Sequence, residues 1–262
     1  MRAGVSAPIG LCVALACITL FGGCYVPFGD VLKARAERTE ELTASLDGIA
    51  ALDVSTNVGT IEVEAADVTE ARITAEITVK AKTAEEAEQL VEEVRITVEP
   101  SGDKLVIKAI KPGGFGRNQL GVDFTIAAPA ALALNCTTNV GDIRTTGFTD
   151  RVRARTDVGS IACTDLHGAL DLHTNVGDIK AVYAPEAPAA LEASLSTNVG
   201  DINFTGPTEI SAEISAGANV GSIHTDRPLS VTGSIKKSLR ATLGNSEGRI
   251  RLHTNVGSIR IR

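Results

Sequence analysis

The chain has 262 residues and a formal charge of −7; hydrophobic residues make up 44% of it, aromatics only 3%, and there is no Trp. This length supports one large domain or two small ones, and a core of Ala, Val, Ile and Leu with 25 Gly suits thin stacked layers rather than a bulky interior. The acidity argues against nucleic acid as a partner, because phosphate binding requires Lys and Arg gathered on one face.

The first segment reads as an address. Arg2 is the only charged side chain before Asp30, and Ile9 to Phe21 is a mostly apolar run, short for a membrane span but suited to the core of an export signal. Gly22 and Gly23 then precede Cys24, and LFGGC resembles the bacterial lipobox, in which the cysteine after the cut carries diacylglycerol. An uncleaved N-terminal anchor is the alternative, but Gly22, Gly23 and Pro27 weaken such a helix. Residues 1–23 are therefore expected to be a signal peptide, and 24–50 a lipidated cysteine and linker. Such a chain is held at a membrane of the cell envelope, facing the periplasm or the exterior.

Residues 51–128 are expected to form an N-terminal β segment with one helix. Arg72 to Lys82 alternates as a strand; Thr83 and Glu86 form a capping box for a helix over 83–94, with Ala87, Leu90, Val91 and Val94 as its apolar stripe. Val94 to Glu99 and Lys104 to Ile110 read as a hairpin across PSGD. KPGGFGRN, 111–118, lacks the GK[ST] ending of a phosphate loop and reads as a flexible connection. Val122 to Ala127 is the next strand.

Residues 129–262 are dominated by a repeat that also occurs once upstream. TNVGDI stands at 138–143, 174–179 and 197–202, with near copies at 56–61, 156–161, 218–223 and 254–259. The motif glycines are Gly59, Gly141, Gly159, Gly177, Gly200, Gly221 and Gly257, and the shortest spacing is 18. A period near 20 in a chain rich in β-formers marks a solenoid. The final interval of 36 residues leaves room for one coil without the motif near 229–243.

Residues seven and five before each glycine, such as Leu170 and Leu172, are apolar and alternate with polar neighbours, and an Ile follows two after it. The inward parity shifts across the glycine, which makes it a corner between two sheets. Positive φ or a close backbone approach calls for Gly there; the preceding Val is expected to point inward, and the Asn or Asp before it to stack coil on coil. A calcium reading rests on Asp142, Asp178 and Asp201, yet Ser160, Ser222 and Ser258 replace them elsewhere, so the corner reading is preferred. Cys136 and Cys163 occupy inward registers on opposite sheets and are expected to be free thiols. Arg249, Arg251, Arg260 and Arg262 are expected to guard an open end of the stack against edge pairing, with an anionic partner as the alternative.

The run VDFTIAAPAALALNCTTNVGDI, the form GxLxLHTNVGDI at 168–179 and the ending LRATLGNSEGRIRLHTNVGSIRIR resemble the bacterial domains of unknown function grouped under the name adhesin, which fold as β-solenoids. The resemblance covers roughly 52–262 and implies an envelope-associated, non-enzymatic protein with no catalytic residue or cofactor to carry over. The residues agree. His173 and His253 share an outward register but about four coils, or ~19 Å, separate them, too far to share a metal. No Ser has a His and an acid beside it in the repeat.

Two functions follow from the sequence. One is an adhesin-like binding surface for a glycan or an envelope protein, presented at the corner opposite the glycines, where APEAPAA (184–190) and TGPTE (205–209) are inserted. The other is a structural or sensory accessory protein acting on a membrane partner through the linker at 30–46 or the helix at 83–94.

Overall fold

The computed structural model describes residues 34–262 apart from 112, 114, 117, 228, 229 and 232–236. Cys24 and the expected signal segment lie outside these residues. The described chain is a two-sided β-solenoid with one helix.

The N-terminal segment comprises β1 (Ala34–Ser45), β2 (Ala51–Val58), β3 (Ile61–Ala65), β4 (Glu70–Ala81), α1 (Ala84–Glu93), β5 (Arg95–Ser101), β6 (Lys104–Ile110) and β7 (Gln119–Ala128). Alternation in β4 buries Ala71, Ile73, Ala75, Ile77, Val79 and Ala81 on one face. Thr83 caps α1 by accepting the Glu86 amide at 3.2 Å, but the reciprocal half of the expected capping box is missing: Glu86 Oε1 accepts from Asn118 Nδ2 instead, at 2.8 Å. β5 and β6 form the expected antiparallel hairpin.

One expectation for this segment is corrected. Much of the linker expected over 24–50 is β1, paired along its whole length with β4. It does not read as a buried strand because its covered positions hold Arg38 and Glu40 as well as Leu42; Arg38 turns under α1 and donates to the Val94 carbonyl at 2.6 Å, capping the helix C-terminus. Within 111–118, Phe115 is buried and Lys111 Nζ sits 4.5 Å from its ring centroid.

Each later coil crosses from one sheet to the other at a motif glycine: β8 (Ala133–Val140) to β9 (Ile143–Thr146), β10 (Val152–Val158) to β11 (Ile161–Leu166), β12 (Leu170–Val176) to β13 (Ile179–Tyr183), β14 (Glu192–Val199) to β15 (Ile202–Thr205), and β16 (Ala212–Val220) to β17 (Ile223–Thr225). After β18 (Ser230–Val231) and β19 (Ser238–Leu243), β20 (Gly248–Val256) and β21 (Ile259–Ile261) close the chain. Strands before the corners form one sheet and strands after them the other; between them lie the aliphatic positions read from the repeat, all buried. Phe124, Phe148 and Phe204 fill the wider places, and Tyr183 packs tilted against Phe204 with centroids 5.8 Å apart.

The stacking order departs from the chain order. β20 and β21 insert between the β14/β15 coil and the β16/β17 coil, in parallel register with both. The segment expected to be a motif-free coil near 229–243 instead supplies β19, which runs antiparallel to β16 and closes that end of its sheet together with β18. The C-terminal arginines are therefore not at an open edge. The edges are β1, rich in charge, and the three-residue β17 in one sheet, and β5, which carries Pro100, and the two-residue β18 in the other.

Cys136 and Cys163 are free and fully buried, on β8 and β11 of opposite sheets. Burial pushes both thiols up, Cys163 to about 12.

Two predictions follow from this architecture. Paired substitutions Ser194→Cys and Arg251→Cys, on adjacent strands in register, should oxidise to a disulfide, whereas Ser194→Cys with Ser215→Cys, two strands apart, should not, since a disulfide needs Cα atoms within about 7 Å; the reverse outcome in non-reducing peptide mapping would restore chain-order stacking. Cys136 and Cys163 should resist alkylation in the native protein and both react once it is denatured without reductant. Because the raised pKa values favour the neutral thiols in the fold, the melting temperature should fall as pH rises from the free-thiol value of 9.0 towards about 12.

Candidate functional site

The repeated hexapeptide is the most distinctive feature of the chain, and each of its positions has a defined task. The glycines adopt φ between +140° and +149°, a region that side-chain-bearing residues rarely enter. Space gives a second reason. A Cβ on Gly177 would stand 2.0 Å from the Gly159 carbonyl oxygen, and one on Gly141 equally close to that of Gly59. Successive corners stack glycine on glycine.

That approach is held by a repeating hydrogen-bond set. Each glycine amide donates to the Val carbonyl of the next corner, as Gly159 does to Val176 at 2.9 Å, and each Ile amide to the carbonyl one past the next glycine, as Ile161 does to Asp178 at 2.9 Å. The Thr hydroxyl reaches back to the previous glycine carbonyl: Thr174 to Gly159 at 2.9 Å, Thr197 to Gly177 at 3.0 Å, Thr254 to Gly200 at 2.9 Å. The residue after the glycine acts likewise through its side chain. Asp142 Oδ1 accepts the Ser160 amide, Asp178 that of Asp201, and Asp201 that of Ser258, at 2.7–2.9 Å; Ser160 Oγ accepts the Asp178 amide at 3.4 Å. These carboxylates thus have backbone partners, which explains why Ser can replace Asp.

The asparagines form the expected ladder, with Asn198 donating to Asn175 at 3.0 Å, Asn255 to Asn198 at 2.9 Å and Asn219 to Asn255 at 2.8 Å. The expectation for the valines is wrong. Val58, Val140, Val158, Val176, Val199, Val256 and Val220 are 45–62% exposed. The buried Thr two residues earlier is the last side chain between the sheets, and the backbone has left the core by the time it reaches Val. The Thr hydroxyl was the missed role, although its inward parity and its presence in six of the seven copies were visible in the sequence.

At the opposite corner the inserted loops pack on one another. The Thr208 amide donates to the Pro185 carbonyl at 3.1 Å and the Ser211 amide to that of Ala189 at 2.8 Å. The Arg227 guanidinium, from the displaced coil, donates to the carbonyls of Gly206, Pro207 and Thr208.

No group of three or more metal-ligating side chains occurs among the described residues. Because β20 is inserted, His253 lies two strands from His173 rather than four, with Ser196 between them; His173 Nδ1 shares a 2.8 Å hydrogen bond with Ser196 Oγ, and His253 Nε2 one of 3.2 Å with Asn255. A cavity of about 640 Å³ flanks the first corner beside β7; Arg35, Asn57, Lys80, Lys111, Gln119 and Asp123 line it. The Asp123 carboxylate accepts the Thr60 amide at 2.6 Å. These groups can hold a polar ligand, but no residue there is placed as an acid–base or nucleophile pair. The cavity was invisible in the sequence because β1, which forms one wall, reads as linker.

If the hexapeptide is a corner, Gly177→Val should cost about 3 kcal/mol or more, through both φ and the clash. Thr174→Val should cost about 1–3 kcal/mol by stripping a hydroxyl from the Gly159 carbonyl. Asp178→Ser should stay within about 1 kcal/mol, and a chelator should leave the melting temperature unchanged. Thermal and denaturant melts check the order; a chelator-sensitive melt with Asp178→Ser the worst variant would make the repeat a calcium site.

No curated protein sequence matches the chain. Solved structures of similar shape include a Clostridium sporogenes protein named for cell adhesion, with 13% identity, coverage of 86% of this chain and 98% of that one, and a TM-score of 0.48. A Bacteroides fragilis protein named as an adhesin has 17% identity, coverage of 86% and 97%, and a TM-score of 0.42. The pattern of one family covers residues 47–262, from the turn before β2 to the last residue, and the chain accordingly belongs to the Toastrack DUF4097 family, a domain of unknown function.

Proposed function

We propose that this is an exported cell-envelope protein, anchored to a membrane through lipid on Cys24, whose solenoid is a non-enzymatic, adhesin-like binding surface. The observation that carries the reading is the use of the repeat itself. The Thr, Gly and Asp or Ser groups that recur along the corners bond to the neighbouring coil, so the repeated chemistry supports stacking. Polar variation lies on the outer sheet faces, and the loops at 184–190 and 205–209 differ in length between coils; these loops are held by backbone hydrogen bonds and Arg227 and therefore lose little entropy on binding.

The accessory-protein reading is weaker on two counts. The apolar stripe of α1 (Ala87, Leu90, Val91) is already buried, and much of the supposed linker is tied into a sheet as β1. A glycan or a surface protein of another cell fits the reading better than a membrane protein of the same cell.

Intact mass of the membrane-extracted protein should correspond to a chain beginning at lipid-modified Cys24, and Cys24→Ala should release the protein or leave it uncleaved. A mature mass that includes residues 1–23 would refute the anchor. Cross-linking on intact cells should capture glycan or foreign surface protein; capture of only a membrane protein of the same cell would refute the adhesive surface.

A further inference from the structure

The outer face of the sheet built from the strands before each corner carries a charge pattern that appears only when the coils are stacked in their actual order. Arg153 on β10, Asp171 on β12, Ser194 on β14, Arg251 on β20, Ser215 on β16 and Arg240 on β19 are successive register partners, so they form one straight row across six adjacent strands. At ~4.8 Å per strand, Arg153 and Arg251 are ~14 Å apart, and Arg251 and Arg240 ~10 Å. The row on one side holds Glu192, Arg249 and Glu213 in register, with Arg151 at its start; that on the other holds Arg155, His173, Ser196 and His253.

On this face of β10, β12, β14, β20, β16 and β19, with Arg151 included, six arginines meet three carboxylates, and a fourth, Asp157, belongs to the corner ladder, where it accepts from Asn175. The surplus is positive on a chain whose net charge is −7. Asp171 is shared by Arg153, at 2.9 Å, and Arg155, at 3.3 Å, while Arg249, Arg251 and Arg240 have no ion-pair partner among the described residues. A shallow depression of about 420 Å³ lies along the rows, lined by Arg151, Asp171, Glu192, Ser194 and Arg251 and floored by Ala169 and Ala193.

We infer that this face binds an acidic polysaccharide whose charges are widely spaced, laid along the solenoid axis. The inference rests on the binding-surface reading above and gives it a place and a ligand class. Guanidinium groups placed ~10–14 Å apart suit carboxylates separated by neutral sugar. The serines and the interleaved carboxylates between them accept hydrogen bonds from sugar hydroxyls. The same carboxylates oppose a dense polyanion such as DNA, which carries a charge about every 1.7 Å, and these strands carry no Phe, Tyr or Trp on which successive bases could stack.

Binding of the full chain in detergent to hyaluronan, which has one carboxylate per disaccharide, tests this. Hyaluronan should bind, weaken with added salt, and outcompete neutral dextran. The double variant Arg251→Ser with Arg240→Ser should lose about tenfold or more in affinity with an unchanged melt, whereas Arg144→Ser with Lys180→Ser, on the other sheet, should bind like the parent. Equal loss in both variants, or tighter binding to heparin, DNA or phosphatidylglycerol vesicles than to hyaluronan, overturns the inference. Binding to other glycans that the first variant leaves untouched overturns the assignment of this face and spares the binding-surface reading; no binding to any glycan, with cross-linking only to a same-cell membrane protein, overturns both.

Discussion

The close stacking of glycine on glycine at the corner is the constraint from which the rest of the structure follows. A carbonyl oxygen occupies the place where a side chain would begin, 2.0 Å from the Cβ position of the next corner. Such an approach fixes coil against coil in register and aligns the Thr, Asn and Asp or Ser columns with their partners. With the corners aligned, the strands on both sheets pair in register and the aliphatic columns meet across a gap of ~10 Å. A wider residue at one corner would separate its neighbours, and both sheets would feel it.

Because every corner offers the same surface, stacking order is not bound to chain order. The corner of Gly257 fits between those of Gly200 and Gly221, with an amide of Gly200 donating to Val256 and that of Gly257 to Val220, both at 2.9 Å. Insertion of the last coil moves its arginines from an edge to the interior of the stack. There they join Arg153, Arg155 and Arg240 in a face that an acidic chain with dispersed charges would not otherwise own. The edges left behind are short, charged or broken by proline, which limits pairing with other chains.

The corner was legible in the sequence because its requirement is local: only Gly satisfies both φ and the close approach, and the Ile and Leu columns follow a simple parity. What the sequence hid is non-local. The interval of 36 residues before Gly257 is two periods long, so it suited an extra coil as well as an antiparallel return, and nothing within TNVGSI says which copy it rests on. β1 escaped because Arg38 and Glu40 occupy positions covered by the helix end rather than by the core. The valines misled because strict alternation points them inward, whereas the core ends at the threonine. The cavity beside the first corner and the arginine rows depend on these two hidden pieces, the strand β1 and the inserted coil, and could not be assembled from spacing alone.

The repeat therefore serves architecture, while ligand recognition falls to surfaces that the repeat holds in place. Residue-resolved amide hydrogen exchange tests this division most directly. The amides of Gly159, Gly177, Ser160 and Asp201 sit at an exposed corner, yet the stacking account predicts that they exchange as slowly as those of Leu172 and Leu195 in the core strands, with or without added calcium. Exchange at the rate of open loops, or protection that appears only when calcium is added, would contradict it.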